Sequence, residues 1–574
     1  MRELADRESA EGTVRLRTLK SGETADDSST NHYRPNQRIN HVGSKYIKLG
    51  EQKTDEPSVN KTVAEDWVLE QLVDETRRKL MVQFEKQLDT ALNEFLDRAN
   101  HKGVCVQTFK QQSMNMEDKS PPSVETKGKI FPEKVFRLRD SVLTELFELS
   151  HIRTVYHVFI AILLLFSFNL ICTNFLGTQP SRAIDHLQML QYTFGKFRDV
   201  MLFWVKMKAS TMFIPFLGFF FWCTQRSPVT RPTLFDWVML GLYVLYQVAF
   251  ITVPIQFTIR HQLPPVSTFI VVLEQIRMLM KSHAFVRTCM STVVEQTSKQ
   301  TAGTQQPTPW TPNFSNYLYF LFAPTLVYRN TYPRTSEIRW GYVVSNLLQV
   351  CGCTLLSYYV LIQFCFTEFV HFGRTSDYTL RQFILTSTAT SVPGGLVMFL
   401  IFFAGLHSWL NAFAEMLRFG DRLFYKDWWN STAFSVWYRT WNVVVHDWLY
   451  TYVYKDIQLL SRSQRSRSIA TAVVFWLSAA VHEYALSLAF RFFYPVLFVF
   501  FTFAGYPFFY VNGSGRSWNV FIWVVLFTGW GQLMCLYSME WYARKNCLPV
   551  FNSWVDFMVP HSWFCRPIPT TVQA

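Results

Sequence analysis

The sequence predicts an all-α polytopic membrane protein with about nine spanning helices, and three observations carry that expectation. Apolar stretches of about 20 residues or more follow one another from about residue 150 onward, the length a helix needs to cross a hydrocarbon core about 30 Å thick. Charge is unevenly placed: residues 1 to about 150 are rich in Lys, Arg, Asp and Glu, and beyond them it collects in short loops. The chain is 49% hydrophobic and 17% aromatic over 574 residues, whereas a soluble protein of this length would divide into several domains with charge spread throughout.

Residues 1–61 are polar and without periodicity, and are expected to be a disordered, cytosolic N-terminus. Thr62-Val63-Ala64-Glu65 reads as a capping box. Leu69, Val73, Leu80, Phe84, Leu88, Leu92 and Phe95 then recur at helical steps, opposite Glu70, Arg77, Lys79 and Glu85. Residues 62–100 therefore predict an amphipathic helix that needs a partner, either another copy of the chain or its own membrane domain. Residues 101–135 return to linker composition, and Phe136 to Leu149 reads as a second amphipathic segment at the interface. The membrane domain is assigned to 136–567, with 568–574 as a tail.

Spans are expected near 153–176, 197–223, 234–258, 340–370, 382–415, 434–453, 468–490, 493–511 and 518–540. Weaker apolar segments lie near 266–280 and 316–327. The Ser-, Thr-, Gln- and Pro-rich stretch 292–316 reads as an aqueous loop. No cleavable signal peptide is evident, so the first span is expected to serve as the insertion signal and leave the N-terminus cytosolic. The net charge of +13 comes without a compact basic domain or a nucleic-acid recognition motif. Basic loops such as Arg226 to Arg231 and Lys455 to Arg467 fit the cytosolic side of a membrane protein. The ten cysteines lack metal-ligand spacing, and Cys351 and Cys353 read as buried thiols.

Three segments carry chemistry. His482 and Glu483 lie deep in an apolar helical stretch, where ionisable groups are expensive and mark function by default. The alternative is a hydrogen-bonded histidine that packs two helices. A zinc-protease pair is excluded, because the residue four positions on is Leu486. An imidazole suits proton abstraction near neutral pH, and no nucleophile elbow, P-loop or dinucleotide fingerprint is present. Direct transfer by one general base is therefore the expected chemistry. The second segment is Phe424-Tyr425-Lys426-Asp427-Trp428-Trp429-Asn430, too polar for a simple interfacial aromatic belt. The third runs from Arg439 to Tyr450: Asn442, His446 and Tyr450 recur every four residues, so on a helix they share one face and imply a polar cavity.

Phe424 to Asn430 resembles the FYxDWWN signature of the membrane-bound O-acyltransferase family, in the branch of the sterol and diacylglycerol acyltransferases. His446 to Tyr450, Val481 to Leu486 and the stretch from His151 resemble the sterol members, and the resemblance covers roughly 130 to 567. It implies a bundle around a buried reaction chamber in the endoplasmic reticulum membrane. The implied reaction moves a long-chain acyl group from acyl-CoA, a substrate rather than a cofactor, to a sterol hydroxyl; diacylglycerol is the alternative acceptor. His482 would be the base and Asn442 its partner, either at the developing oxyanion or only holding the thioester. Acyl-CoA contacts would fall on Arg439, Asn442, His446, Tyr454, Arg467 and Ser478, and His151 would lie near bound sterol. Arg467 stands where relatives can have Lys, and Val436 where they can have Asn. The resemblance also implies a lumenal Cys547–Cys565 disulfide, a homodimer or homotetramer, and no metal.

Overall fold

The computed structural model describes residues 133–176, 193–226, 232–301, 310–374, 378–460, 465–511 and 515–566, with the single positions 191, 513 and 568. The expected 62–100 helix and its flanking segments up to residue 132 lie outside the described residues. Those described form helices, with two isolated bridges, Arg139–Asp421 and Arg334–Phe419, as the only β-type pairing among them.

In chain order the helices are α1 (Val142–Leu146), α2 (Ser150–Leu176), α3 (Phe197–Gln225), α4 (Leu234–Arg260), α5 (Pro265–Thr301) and α6 (Phe314–Phe322). There follow α7 (Trp340–Phe369), α8 (Leu380–Met416), α9 (Phe434–Thr440), α10 (443–460), α11 (Ser466–Phe490), α12 (Val496–Phe508) and α13 (Arg516–Asn546). Seven of these, α2, α3, α4, α7, α8, α11 and α13, are long and apolar enough to cross a membrane. Single π-helical turns interrupt α7, α8, α10 and α12.

Five expectations need correction. The stretch 434–453 is not one span: the helix stops at Thr440 and restarts at Val443, because Asn442 leaves helical geometry (φ −139°, ψ 86°) to cap the second piece. The stretch 493–511 holds the shorter apolar helix α12. Residues 292–301 are helical rather than loop. The Ser291, Thr292 and Thr297 hydroxyls return hydrogen bonds to carbonyls one turn back, so their polarity is met inside the helix. Phe136 to Leu149 is largely extended, with helix only over α1, and Arg139 ties it to Asp421. Cys351, read as buried, is exposed, whereas Cys353 is buried.

Helix ends gather on two faces. On one, Lys196 donates to the His261 carbonyl, Arg491 to Leu263, Asn546 to Val370 and Phe372, and Phe493 pairs with Phe557. Cys547 and Cys565 are joined there, with Cα atoms 5.3 Å apart. Gly373 sits against them: a Cβ would lie 2.6 Å from the Cys547 sulfur, and φ is +78°. On the opposite face, Glu415 holds Arg339 and Arg422, Lys134 pairs with Asp447, and Arg287 makes a two-pronged bond to Asp456. Helix α5 runs from the first face to the second, although Glu274, Arg277 and Lys281 make it more polar than the seven apolar helices.

Those charges serve α6. The last carbonyls of a helix lack intrahelical partners, and a water-poor interior makes that costly. Lys281, 1% exposed, donates to the carbonyls of Phe320 and Ala323, and Arg277 donates to that of Leu321. Glu274 in turn bonds Arg277 and pairs with Lys208 of α3. Cations at a helix C-terminus also meet its partial negative charge. Lys281→Met, close in size but without donors, is expected to cost about 1–3 kcal/mol per orphaned carbonyl. A thermal denaturation midpoint well below wild type in detergent is the expected result; an unchanged midpoint would remove this role.

Candidate active site

The signature segment is scaffold as well as surface. Phe424, Tyr425 and Trp428 are buried, while Lys426, Asp427 and Asn430 are exposed. Trp428 meets Phe402 of α8 at 5.0 Å, Trp441 at 4.6 Å and Trp523 of α13 at 5.4 Å between ring centroids. Offset and edge-to-face geometries of this kind favour aromatic rings beyond their area burial. The backbone then clamps its neighbour: Lys426 N–H donates to the Thr440 carbonyl (2.8 Å), and Val443 N–H to that of Phe424 (2.9 Å). Trp441 and Asn442 are held between those two bonds, in the gap between α9 and α10.

Asn442 uses one end of its amide locally. Its Oδ1 accepts from Val445 N–H at 3.1 Å, which caps α10. That bond fixes the amide orientation and turns the NH₂ group away from the helix it caps. Helix α10 is pinned by Trp448, which donates to the Met280 carbonyl, and by Tyr452, bonded to Thr288 and Tyr328. The π turn Tyr450–Tyr454 continues a ladder of rings. His446 stacks on Tyr450 at 6.3 Å, and Tyr450 on Tyr454 at 5.6 Å. The single face expected for Asn442, His446 and Tyr450 thus starts at a helix cap rather than inside a span.

His482 lies on α11 with an exposed ring, not sealed between helices. Its Nδ1 is 2.7 Å from the Ser478 carbonyl oxygen. A carbonyl only accepts, so Nδ1 carries the proton, and in a neutral imidazole Nε2 keeps its lone pair. Phe501 of α12 stacks on the ring at 5.5 Å. Tyr438 of α9 meets Phe501 at 6.1 Å and Phe475 of α11 at 4.8 Å. This chain of rings connects the His482 helix to the segment that holds Asn442. Glu483 points elsewhere: it is buried and bonded to Tyr537 and to the backbone of Phe498.

The other expected residues divide. Arg439 is exposed, over the ring of Phe509 at 5.6 Å, and Arg467 is exposed at the start of α11. Both sit at the face that carries Lys134, Asp447 and Asp456, and neither pairs with an acid among the described residues. His446 is near Asp447 (3.6 Å), which also holds Lys134. Tyr454 accepts from Gln458, and Ser478 contributes its carbonyl to His482. Val436 is exposed. His151 is exposed in the first turn of α2, a helix that packs on α7 rather than on α11. No group of three or more His, Cys, Asp or Glu converges as metal ligands among the described residues.

One cluster was missed. His407, buried in the π turn of α8, has Nδ1 2.7 Å from the Tyr425 hydroxyl, and Asn411 donates to Ser141 and to the His407 carbonyl. Glu415 follows one turn later and grips Arg339 and Arg422. His407, Asn411 and Glu415 recur every four residues in an apolar stretch, the same signal that singles out Asn442 and His446. They join α8 to the signature loop through Tyr425, and π turns recur at functional sites.

Comparison with known proteins agrees with this arrangement. The model of the membrane-bound O-acyltransferase family matches residues 222–539. The mouse protein named sterol O-acyltransferase 1 is 46% identical over 438 residues, 75% of this chain and 79% of that relative. Mouse sterol O-acyltransferase 2 is 41% identical over 84% of this chain and 91% of its own length, and the human protein of that name is 40% identical over 84% and 90%. A family match over more than half of the chain, relatives alike along most of their length, and a helical membrane bundle that carries the signature loop lead to one assignment: the chain belongs to the membrane-bound O-acyltransferase family.

Proposed function

We propose that the protein transfers a long-chain acyl group from acyl-CoA to the 3-hydroxyl of a sterol, with His482 as general base. The observation that carries the reading is the Nδ1–H bond from His482 to the Ser478 carbonyl, which leaves Nε2 as an accessible lone pair on a membrane helix. The names of the relatives supply the acceptor class.

The step balances simply. Nε2 takes the proton of the sterol hydroxyl as its oxygen attacks the thioester carbonyl. The tetrahedral oxyanion collapses, the C–S bond breaks, and the imidazolium returns the proton to the departing thiolate. The Asn442 NH₂ group is oriented by its own cap, so it can donate to the thioester oxygen without reorganising first. No covalent enzyme intermediate is required. Base catalysis contributes roughly 10²–10⁴ in rate, and orientation of two substrates where water is scarce supplies much of the rest.

Sidedness follows from the tail. A disulfide persists in an oxidising compartment, so the face with Cys547–Cys565 is assigned to the lumen of the endoplasmic reticulum. Arg439 and Arg467 then face the cytosol, where the anionic CoA head is available, and residue 133 leads back to a cytosolic N-terminus. The sterol reaches the ring laterally from the bilayer, with His151 along its route. Homodimer or homotetramer assembly through the membrane domain and residues 62–100 completes the proposal.

His482→Ala in inserted protein is expected to lower sterol ester formation by about 10²–10⁴, the range of general-base catalysis; retention of wild-type turnover would exclude the role. Asn442→Ala is expected to lower kcat markedly, and a change confined to KM would mean that it only holds the thioester. In competition with purified protein, sterol is expected to be esterified in preference to diacylglycerol; the reverse preference would move the protein to the other branch. Deletion of residues 1–100 is expected to lower the number of subunits per particle in detergent while ester synthesis persists, and an unchanged subunit number would contradict the assembly role.

A further inference from the structure

We infer that Glu483 and Tyr537 form a positioning pair that fixes the ring of His482 through α12, an inference that rests on His482 being the base. Helix α12 begins after Pro495, and the first N–H groups of a helix have no partners within it. Side chains from two other helices meet them here. Leu497 N–H donates to the Tyr537 hydroxyl oxygen at 3.2 Å, and Phe498 N–H donates to Glu483 Oε2 at 3.1 Å. Tyr537 O–H in turn donates to Glu483, whose two carboxylate oxygens lie 3.0 and 2.9 Å away. Glu483 is 3% exposed and Tyr537 8%, so water does not compete strongly for these bonds. A carboxylate is also favoured at the positive end of a helix.

This cap joins α11, α12 and α13 at one point, one residue along from His482. Its consequence lies one turn further along α12. Phe501, three residues beyond Phe498, is in the π turn Phe500–Gly505 and stacks on the His482 ring. The same turn is pressed against α9: a Cβ on Gly505 would lie 2.5 Å from the Tyr438 hydroxyl. The Ser478 carbonyl sets which nitrogen of His482 is protonated, and the Phe501 face limits rotation of the ring. Together they fix the direction of Nε2. The second of these holds only while the cap seats α12. Glu483 is therefore adjacent to the base in sequence, yet acts on it through another helix and touches neither substrate.

Tyr537→Phe tests this with little damage, since the ring contacts to Phe490 (5.6 Å) and Tyr494 (6.1 Å) remain. The expected result is a kcat about tenfold lower, since small misplacement of reacting groups is costly. KM for both substrates and affinity for a non-hydrolysable acyl-CoA should stay within about twofold of wild type, because positioning acts on orientation rather than on binding. Glu483→Gln, which keeps one acceptor oxygen, should fall between wild type and Glu483→Ala. Unchanged kcat in Tyr537→Phe would overturn the inference, as would a rise in KM with kcat intact. If Glu483→Gln fails to fold, Tyr537→Phe decides alone. His482→Ala measured alongside separates the two ideas. Activity retained there overturns the base itself; activity lost there, with Tyr537→Phe unaffected, overturns only the positioning pair.

Discussion

A polar group inside a bilayer has no water to bond, so a membrane enzyme must satisfy internally every polar atom except those reserved for substrates. Several of the buried charges in the bundle follow that constraint. Lys281 and Arg277 close the buried end of α6, Glu415 receives Arg339 and Arg422, and Glu483 caps α12 with Tyr537. Glu483 is a functional candidate in sequence, yet like the other charges here it is consumed by a backbone group or an ion pair. What they leave free is informative. His482 uses Nδ1 and keeps Nε2, and Asn442 uses Oδ1 and keeps its NH₂ group.

The signature loop gains a physical meaning from this. Its aromatic residues form a rigid nucleus with α8 and α13, and its backbone grips the chain on both sides of Trp441 and Asn442. A residue set between two backbone bonds and oriented by its own cap needs little reorganisation when charge develops nearby, which is the requirement for electrostatic catalysis. The break in 434–453 is therefore what orients the Asn442 amide, because a continuous helix there would leave no cap.

Much of this was legible in the chain itself. Helical class, most of the spans and the choice of His482 as a candidate follow from apolar length and from the cost of an ionisable group within it. Helix α5 was read as weak because hydropathy counts Glu274, Arg277 and Lys281 against it, although their partners lie on α3 and at the end of α6. The break at Asn442 was missed because its causes are bonds to Phe424 and Lys426, contacts that no local pattern contains. His407 was within reach, since its spacing to Asn411 and Glu415 matched a pattern used elsewhere in the chain. The Cys547–Cys565 pairing came from family resemblance rather than from spacing, and the structure joins those two sulfurs.

The most direct measurement is an experimental structure of the inserted enzyme with a non-hydrolysable acyl-CoA and a sterol bound together. The expected result has the sterol 3-hydroxyl about 2.6–3.2 Å from Nε2 of His482, with Nδ1 still donating to the Ser478 carbonyl. A hydroxyl bonded to another residue, or a ring turned so that Nε2 meets Ser478 instead, would contradict the proposed chemistry.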